Sequence, residues 1–225
     1  MRDAYHEELD AVRDELVEMT RLVGSAVARA STALLDADLA LAESVIAGDV
    51  AVNALRDDLD RRAIDLLARQ QPVAGDLRTI VTSLRMSADL ERMGDLARHV
   101  ARVARRRHPD SAVPAALRAT VVEMGQVAAR LVAKAGSVIA SQDVSAALEL
   151  EQDDDEMDRL HRALFTALLG PSSTYGVEEA VDVTAIGRYY ERFADHAVSV
   201  AGRVVYLVTG RRAEELAAAS DVGNG

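Results

Sequence analysis

No cysteine occurs among the 225 residues, so disulfides and thiolate metal ligation are excluded, and any metal must be held by carboxylate oxygen or imidazole nitrogen. Tryptophan is missing as well, and aromatic residues make up only 3% of the chain. A core therefore has to be built from small and medium aliphatic side chains, a composition that suits packed helices. No stretch approaches the roughly 20 apolar residues of a membrane span. The opening Met1 to Glu8 is polar and lacks the apolar region of a secretory signal. A soluble, cytoplasmic protein is the expectation. Positive charge is in deficit too: a formal net charge of −11 makes wrapping around nucleic acid repulsive, because that binding relies on Lys and Arg displacing counterions from phosphates. Cations and basic protein surfaces are the better partners.

What the chain does contain, twice, is a short acidic string: Glu91-Arg92-Met93-Gly94-Asp95-Leu96-Ala97 and Glu191-Arg192-Phe193-Ala194-Asp195-His196-Ala197. In each copy a Glu and an Asp stand four residues apart among good helix formers, so both carboxylates project from one face about one turn apart. Each copy is a two-carboxylate claw. Like charges at that spacing weaken an isolated helix by about 0.2 to 0.5 kcal/mol, and a compensating cation is the obvious remedy. One such pair is ordinarily a solvated face; recurrence of the whole string argues for more.

The claws sit inside a helical repeat. From about Asp3 the apolar positions Leu9, Val12, Leu16, Met19, Val23, Val27 and Ala30 advance by three or four, the helical period. The series runs on through Leu39, Ala42 and Ile46 to a stop at Gly48, giving one very long helix or two collinear ones. A shorter helix from Val52 ends at Gln70 and Gln71, where Pro72 and Gly75 break it. Asp76 is the expected N-cap of a third helix that carries Glu91 and Asp95. Arg105, Arg106 and Arg107 suit the negative end of that helix and read as a final turn leading to a linker at Pro109 and Pro114. The plan then restarts. Val17-Glu18-Met19 reappears as Val122-Glu123-Met124, Asp38 as Asp143 and Asn53-Ala54-Leu55 as Asp158-Arg159-Leu160, at one constant offset. The Glu-Arg-x-x-Asp string recurs five residues early, and residues 170–176 replace the first Pro/Gly break. The fold class is all-α: tandem duplicated three-helix bundles, six helices in all, long, short, long in each half. The expected boundaries are 1–108 for the first bundle, 113–210 for the second and 211–225 for a flexible tail.

Two carboxylates are too few for a specific metal site, so neighbouring helices must complete each claw. The second helix carries Asp49, Asn53 and Asp57 at four-residue steps, and Asp154 and Asp158 occupy aligned positions in the second half. The expected metal-ligating set is Glu91, Asp95, Glu191, Asp195, Asp57, Asp154, Asn53 and Asp158, suited to iron, zinc, manganese or magnesium. Neither His99 nor His196 recurs in the other half, so both read as structural. A di-iron oxidase needs Glu-x-x-His pairs, whereas Gly94 and Ala194 stand three residues after the two glutamates. A phosphate-cradling GxxxxGK[ST] loop is missing as well. Three readings stand at this point: a metal-binding helical scaffold, a carboxylate-bridged metalloenzyme, or a metal-free interaction scaffold.

Pro72-Val73-Ala74-Gly75-Asp76-Leu77-Arg78, Ala88-Asp89-Leu90-Glu91-Arg92-Met93-Gly94-Asp95 and Arg188-Tyr189-Tyr190-Glu191-Arg192-Phe193-Ala194-Asp195-His196-Ala197 closely resemble the signatures of the PhoU family, accessory regulators of bacterial phosphate-specific transport. The resemblance spans about His6 to Gly210 and includes the duplication. It implies two three-helix bundles, multinuclear metal clusters on the acidic motifs, and a role without catalysis. It further implies a homodimer that links the ATPase side of a high-affinity phosphate ABC transporter to a membrane sensor histidine kinase, keeping phosphate-starvation genes off when phosphate is plentiful. One residue departs from the pattern: Leu96 stands where many members repeat a Gly-Asp-His-Ala ending, which leaves the carboxylates intact but sets the two sites apart.

Overall fold

The computed structural model describes residues 2–70, 72–170 and 175–216; Gln71, residues 171–174 and the tail from residue 217 lie outside the described residues. The chain forms α1 (Arg2–Asp36), α2 (Leu39–Gln70), α3 (Gly75–Arg107), α4 (Arg118–Ser141), α5 (Val144–Leu169) and α6 (Val177–Thr209), with a 3-10 turn Ala115–Leu117 leading into α4. Among the described residues there is no strand, and no helix is long and apolar enough to cross a membrane. The architecture is all-α, two three-helix repeats in tandem.

The first helix break is not where the apolar period placed it. Gly48 lies inside α2, and α1 ends at Asp36, where Ala37 takes a left-handed φ of 52°. Asp38 then caps α2, its Oδ1 accepting from Leu41 N at 2.9 Å. The second repeat does the same: Gln142 has φ 55°, and Asp143 accepts from the backbone N–H groups of Ser145 and Ala146. An Asp N-cap satisfies amides that the helix start leaves without partners, and its contribution outweighs the strain of a left-handed alanine. Moving the break to residue 37 makes α2 as long as its neighbours, so the expected long, short, long pattern gives way to three helices of similar length. Gly48 is left as an exposed glycine in a helix interior, and a Cβ built there meets nothing within 4 Å. Gly48→Ala is expected to raise stability by about 0.5–1 kcal/mol, read as a higher urea midpoint with an unchanged slope.

The apolar stripes converge on one continuous core. Helix α2 packs on α1 and α3, α5 packs on α4 and α6, and the halves meet along α1–α4 and α3–α6. Both of these contacts are antiparallel. On the first, Thr20 faces Gly136, Gly24 faces Val132 and Ser31 faces Gly125. Along the second, Asp89 meets His196 and Arg203, His99 meets Tyr189, and Arg106 and Arg107 meet Asp182. The two repeats are thus related by an internal pseudo-two-fold. At its centre the fully buried Tyr190 hydroxyl lies 2.7 Å from Ser31 Oγ; Ser31 donates to Val27 O, so Tyr190 donates to Ser31. Burial pushes the Tyr190 phenol up to about 12, which keeps it neutral. Ala213 and Leu216, from the stretch expected to be a flexible tail, pack against the core.

Candidate metal centre

Each claw forms where the third helix of a repeat runs beside the second. In the first repeat α3 supplies Glu91 and Asp95, and α2 supplies Asp49 and Asn53. Glu91 is half-buried; burial raises its pKa, and Asp95 and Asp49 push the same way against Arg56 and Arg92. Asp49 is only 6% exposed at its side chain. The cation needed to offset these charges is already in place. Arg98 donates through Nη1 to Asp49 Oδ2 at 2.6 Å and through Nη2 to Asp95 Oδ1, Asn53 Nδ2 reaches Asp49 at 3.3 Å, and Arg92 reaches Asp95 at 3.3 Å. Asp57 is not brought into this cluster: its side chain is 68% exposed and lies 3.7 Å from Arg56. Two steps of four residues rotate it about 80° around α2 from Asp49, so the four-residue series leaves the shared face.

The second claw carries the same backbone plan with different charges. Asp154 and Asp158 on α5 stand in the places of Asp49 and Asn53, and Glu191 and Asp195 on α6 in those of Glu91 and Asp95. Burial pushes the Asp154 carboxyl up to about 7, reinforced by the charges of Asp195, Asp158, Glu191 and Asp155. Glu191 is raised by burial and by Asp195, against Arg188, whose Nη1 donates to Glu191 Oε1 at 2.6 Å. Val198 stands where the first repeat has Arg98, so the guanidinium bridge is gone. Asp154 Oδ1 and Glu191 Oε2 are buried with no hydrogen-bond partner. Beside them His161 replaces Arg56, its Nε2 also buried without a partner and 3.7 Å from a Cβ built on Gly187, one turn before Glu191. Burial pulls the His161 pKa down, favouring the neutral ring that a metal requires.

Both repeats match the PhoU domain, at residues 16–104 and 121–204. The chain belongs to the PhoU family. It is 50% identical over 210 residues to the "Phosphate-specific transport system accessory protein PhoU homolog 2" of Mycobacterium tuberculosis, across 93% of this chain and 99% of that protein. Its fold matches the crystal structure of PhoU from Pseudomonas aeruginosa with a TM-score of 0.80 and 33% identity, over 92% of this chain and 100% of that one. It likewise matches the phosphate transport system regulatory protein PhoU from Streptococcus pneumoniae, with a TM-score of 0.82 and 25% identity, over 92% and 98% of the two chains.

Within this PhoU chain the two claws differ in their fit to a cation. Among the described residues no group of three or more His, Asp and Glu side chains is assembled as a ready metal shell. In the second claw the mutual repulsion of four carboxylates, with two of their oxygens buried and unsatisfied, is what a hard cation would relieve. In the first claw Arg98 relieves it instead. Arg98 and His161, which decide this difference, were absent from the residue set expected from sequence. Their signal was the pair of offsets that align the repeats, since the one relating α2 to α5 sets Arg56 against His161 and the one relating α3 to α6 sets Arg98 against Val198. The two histidines read as structural lie between the repeats. His99 stacks on Tyr189 with ring centroids 5.2 Å apart. His196 Nδ1 lies 3.2 Å from Asp89 Oδ1. Burial pushes the Asp89 carboxyl up, but the hydrogen bonds from His196 and Arg203 outweigh it and hold it below the usual carboxylate range.

Proposed function

We propose that this chain is a non-catalytic negative regulator of the phosphate-starvation response, acting at the cytoplasmic face of the membrane between the ATPase subunit of a phosphate ABC transporter and a sensor histidine kinase. The observation that carries the reading is the match of both repeats to the PhoU domain, supported by 50% identity along nearly the whole chain to a protein named as an accessory of phosphate-specific transport. Two long helical repeats around a packed core suit an adaptor whose outer helices meet other proteins.

The same reading includes a metal site in the second claw. Asp154, Asp158, Glu191 and Asp195 offer hard oxygen donors and His161 a neutral nitrogen, a set suited to iron, manganese, magnesium or zinc. A cation there would neutralise charge and fix α5 against α6. The first claw, closed by Arg98, serves as a salt-bridged support. The regulatory reading is tested by deleting the gene and following a reporter for phosphate-starvation genes in phosphate-rich medium. The expected result is full expression of the reporter. Continued repression in a strain that also lacks any other PhoU-type gene overturns it.

A further inference from the structure

The internal pseudo-two-fold places α6 over α3 with Glu191 on Glu91, so that Asp182 corresponds to Thr82 and Arg106 to Tyr206. These two ends of the α3–α6 contact have become different. At one end the Asp182 side chain is 3% exposed and takes hydrogen bonds from Arg106 and Arg107; Arg107 also donates to Glu178 at 2.7 Å. That end is filled by a carboxylate that the protein supplies itself. At the other end Thr82 replaces the carboxylate, and a cleft of about 620 Å³ opens between α3, α5, α6 and the segment after α6.

Two of the arginines around this cleft make no ion pair, although Glu151 and Glu214 line it as well. Arg85 and Arg212 line it and, among the described residues, form no ion pair. Arg203 is held through Nε on Asp89 Oδ2 at 2.6 Å, so its two Nη groups are unspent. Beneath them lies Thr82, 2% exposed. The hydroxyls of Thr32, Thr79, Thr166 and Thr209 each bond the carbonyl four residues back; that of Thr82, among the described residues, has no partner. That oxygen is not sealed from solvent, so the hydroxyl stands open to a donor or acceptor held in the cleft. In a chain with a net charge of −11, unpaired guanidiniums around one cavity are unexpected.

We propose that this cleft binds a small phosphorylated metabolite, its phosphoryl group held by Arg85, Arg203 and Arg212 above the Thr82 hydroxyl. Guanidinium forks match phosphoryl oxygens two at a time, and two free cations plus the open edge of a third suit a dianion better than a carboxylate. The cleft lies within the roughly 300–1,000 Å³ of small-molecule sites, far larger than a bare phosphate ion needs. Glu151 and Glu214 line the same space; they repel a second anionic group and accept hydrogen bonds from amino or hydroxyl groups. Tyr206, 38% exposed, offers an aromatic face. A nucleoside monophosphate has these parts in these proportions.

The test is calorimetric titration of the full chain with AMP and, separately, with inorganic phosphate, in the presence of a chelator so that no metal at the claws contributes. Binding is expected, with Arg85→Ala/Arg212→Ala weakening it at least about tenfold and Thr82→Val about fivefold, the scale of one or two lost charge-assisted or neutral hydrogen bonds. Arg211→Ala, an exposed neighbour outside the cleft, keeps the wild-type affinity. Tighter binding of AMP supports a phosphorylated metabolite, and equal or tighter binding of inorganic phosphate supports the anion site with the free ion as its source. The proposal is overturned if neither ligand binds at millimolar concentration, or if Arg85→Ala/Arg212→Ala binds as wild type does. The substituted arginines, Arg85, Arg211 and Arg212, are exposed, and unchanged thermal melts of the variants verify folding.

Discussion

Metal recovered with the purified protein is expected to fall to background in Asp154→Asn/Glu191→Gln and to stay near the wild-type amount in Glu91→Gln/Asp95→Asn. The reason is the charge balance of the two claws. In the first, Arg98 spans Asp49 and Asp95, and an incoming cation would have to displace a guanidinium that already holds two carboxylates. In the second, four carboxylates share a pocket with no such bridge and with buried oxygens unsatisfied. Binding there stabilises the fold by RT ln(1 + [L]/Kd), about 2.7 kcal/mol at a hundredfold excess over Kd. Unfolding does not explain the loss of metal, because Asp154→Asn removes repulsion and should raise the melting temperature of the metal-free protein. Converting the first claw with Arg98→Val/Asn53→Asp is expected to increase the metal content. Retention of metal by Asp154→Asn/Glu191→Gln, or a metal-free wild type unresponsive to added iron, manganese, zinc and magnesium, sinks the asymmetric reading.

The same site has a pH signature. Asp154 holds its proton up to about pH 7 in the fold but only to about 4 in the unfolded chain. The folded state therefore binds the extra proton, and its contribution to stability is present at low pH and lost as pH rises from about 4 through about 7. Metal-free protein should thus gain stability from pH 8 to pH 6, and in Asp154→Asn this gain should disappear.

The second large effect concerns the contact that joins the repeats. A Cβ added at Gly125 would stand 2.7 Å from Ser31 Oγ and 3.0 Å from Ser31 Cβ, and one at Gly136 would stand 3.2 Å from Thr20 Cβ. Ser31 is itself buried and held by Val27 and Tyr190, so it has no open space to move into, whereas Thr20 borders a cleft together with Gly136 and can turn aside. Gly125→Ala/Gly136→Ala is expected to lose up to about 4 kcal/mol, most of it at Gly125, since overpacking costs about 1–3 kcal/mol per site and the intrinsic helix preference for alanine returns about 1 kcal/mol at each. Chemical denaturation checks this, with Gly48→Ala as the control of opposite sign. A double variant as stable as wild type would mean that α1 and α4 are not held at this separation in solution.

Residue spacing made much of this legible. The duplication, the all-helical class and the pairing of Glu91 with Asp95 and of Glu191 with Asp195 all follow from periods that a linear chain displays. The break at Ala37 did not, because left-handed backbone at an alanine carries no compositional mark, although the alignment of Asp38 with Asp143 pointed to two caps. Asp57 was carried along by a four-residue step whose slow rotation around α2 becomes decisive only when α3 is in place. Arg98 was invisible for another reason: an arginine three residues after an aspartate reads as a local counter-charge, and its reach to Asp49 depends on a helix 49 positions away. Contacts between the repeats, such as Thr20 with Gly136 or Asp182 with two arginines, have no local signature at all.

The pseudo-two-fold would be available to a plain homodimer of three-helix chains, but only with both halves identical. In such a dimer a guanidinium placed in one claw would be written into the other, and a carboxylate at position 182 would stand at both ends of the long antiparallel contact. Joining the halves in one polypeptide lifts that requirement. Each mutation then falls on a single half, so one claw can close on an arginine while its twin stays acidic, and one end can be sealed while the other stays open. The covalent link is in this sense a licence for the two halves to diverge in role while the shared core keeps them in register.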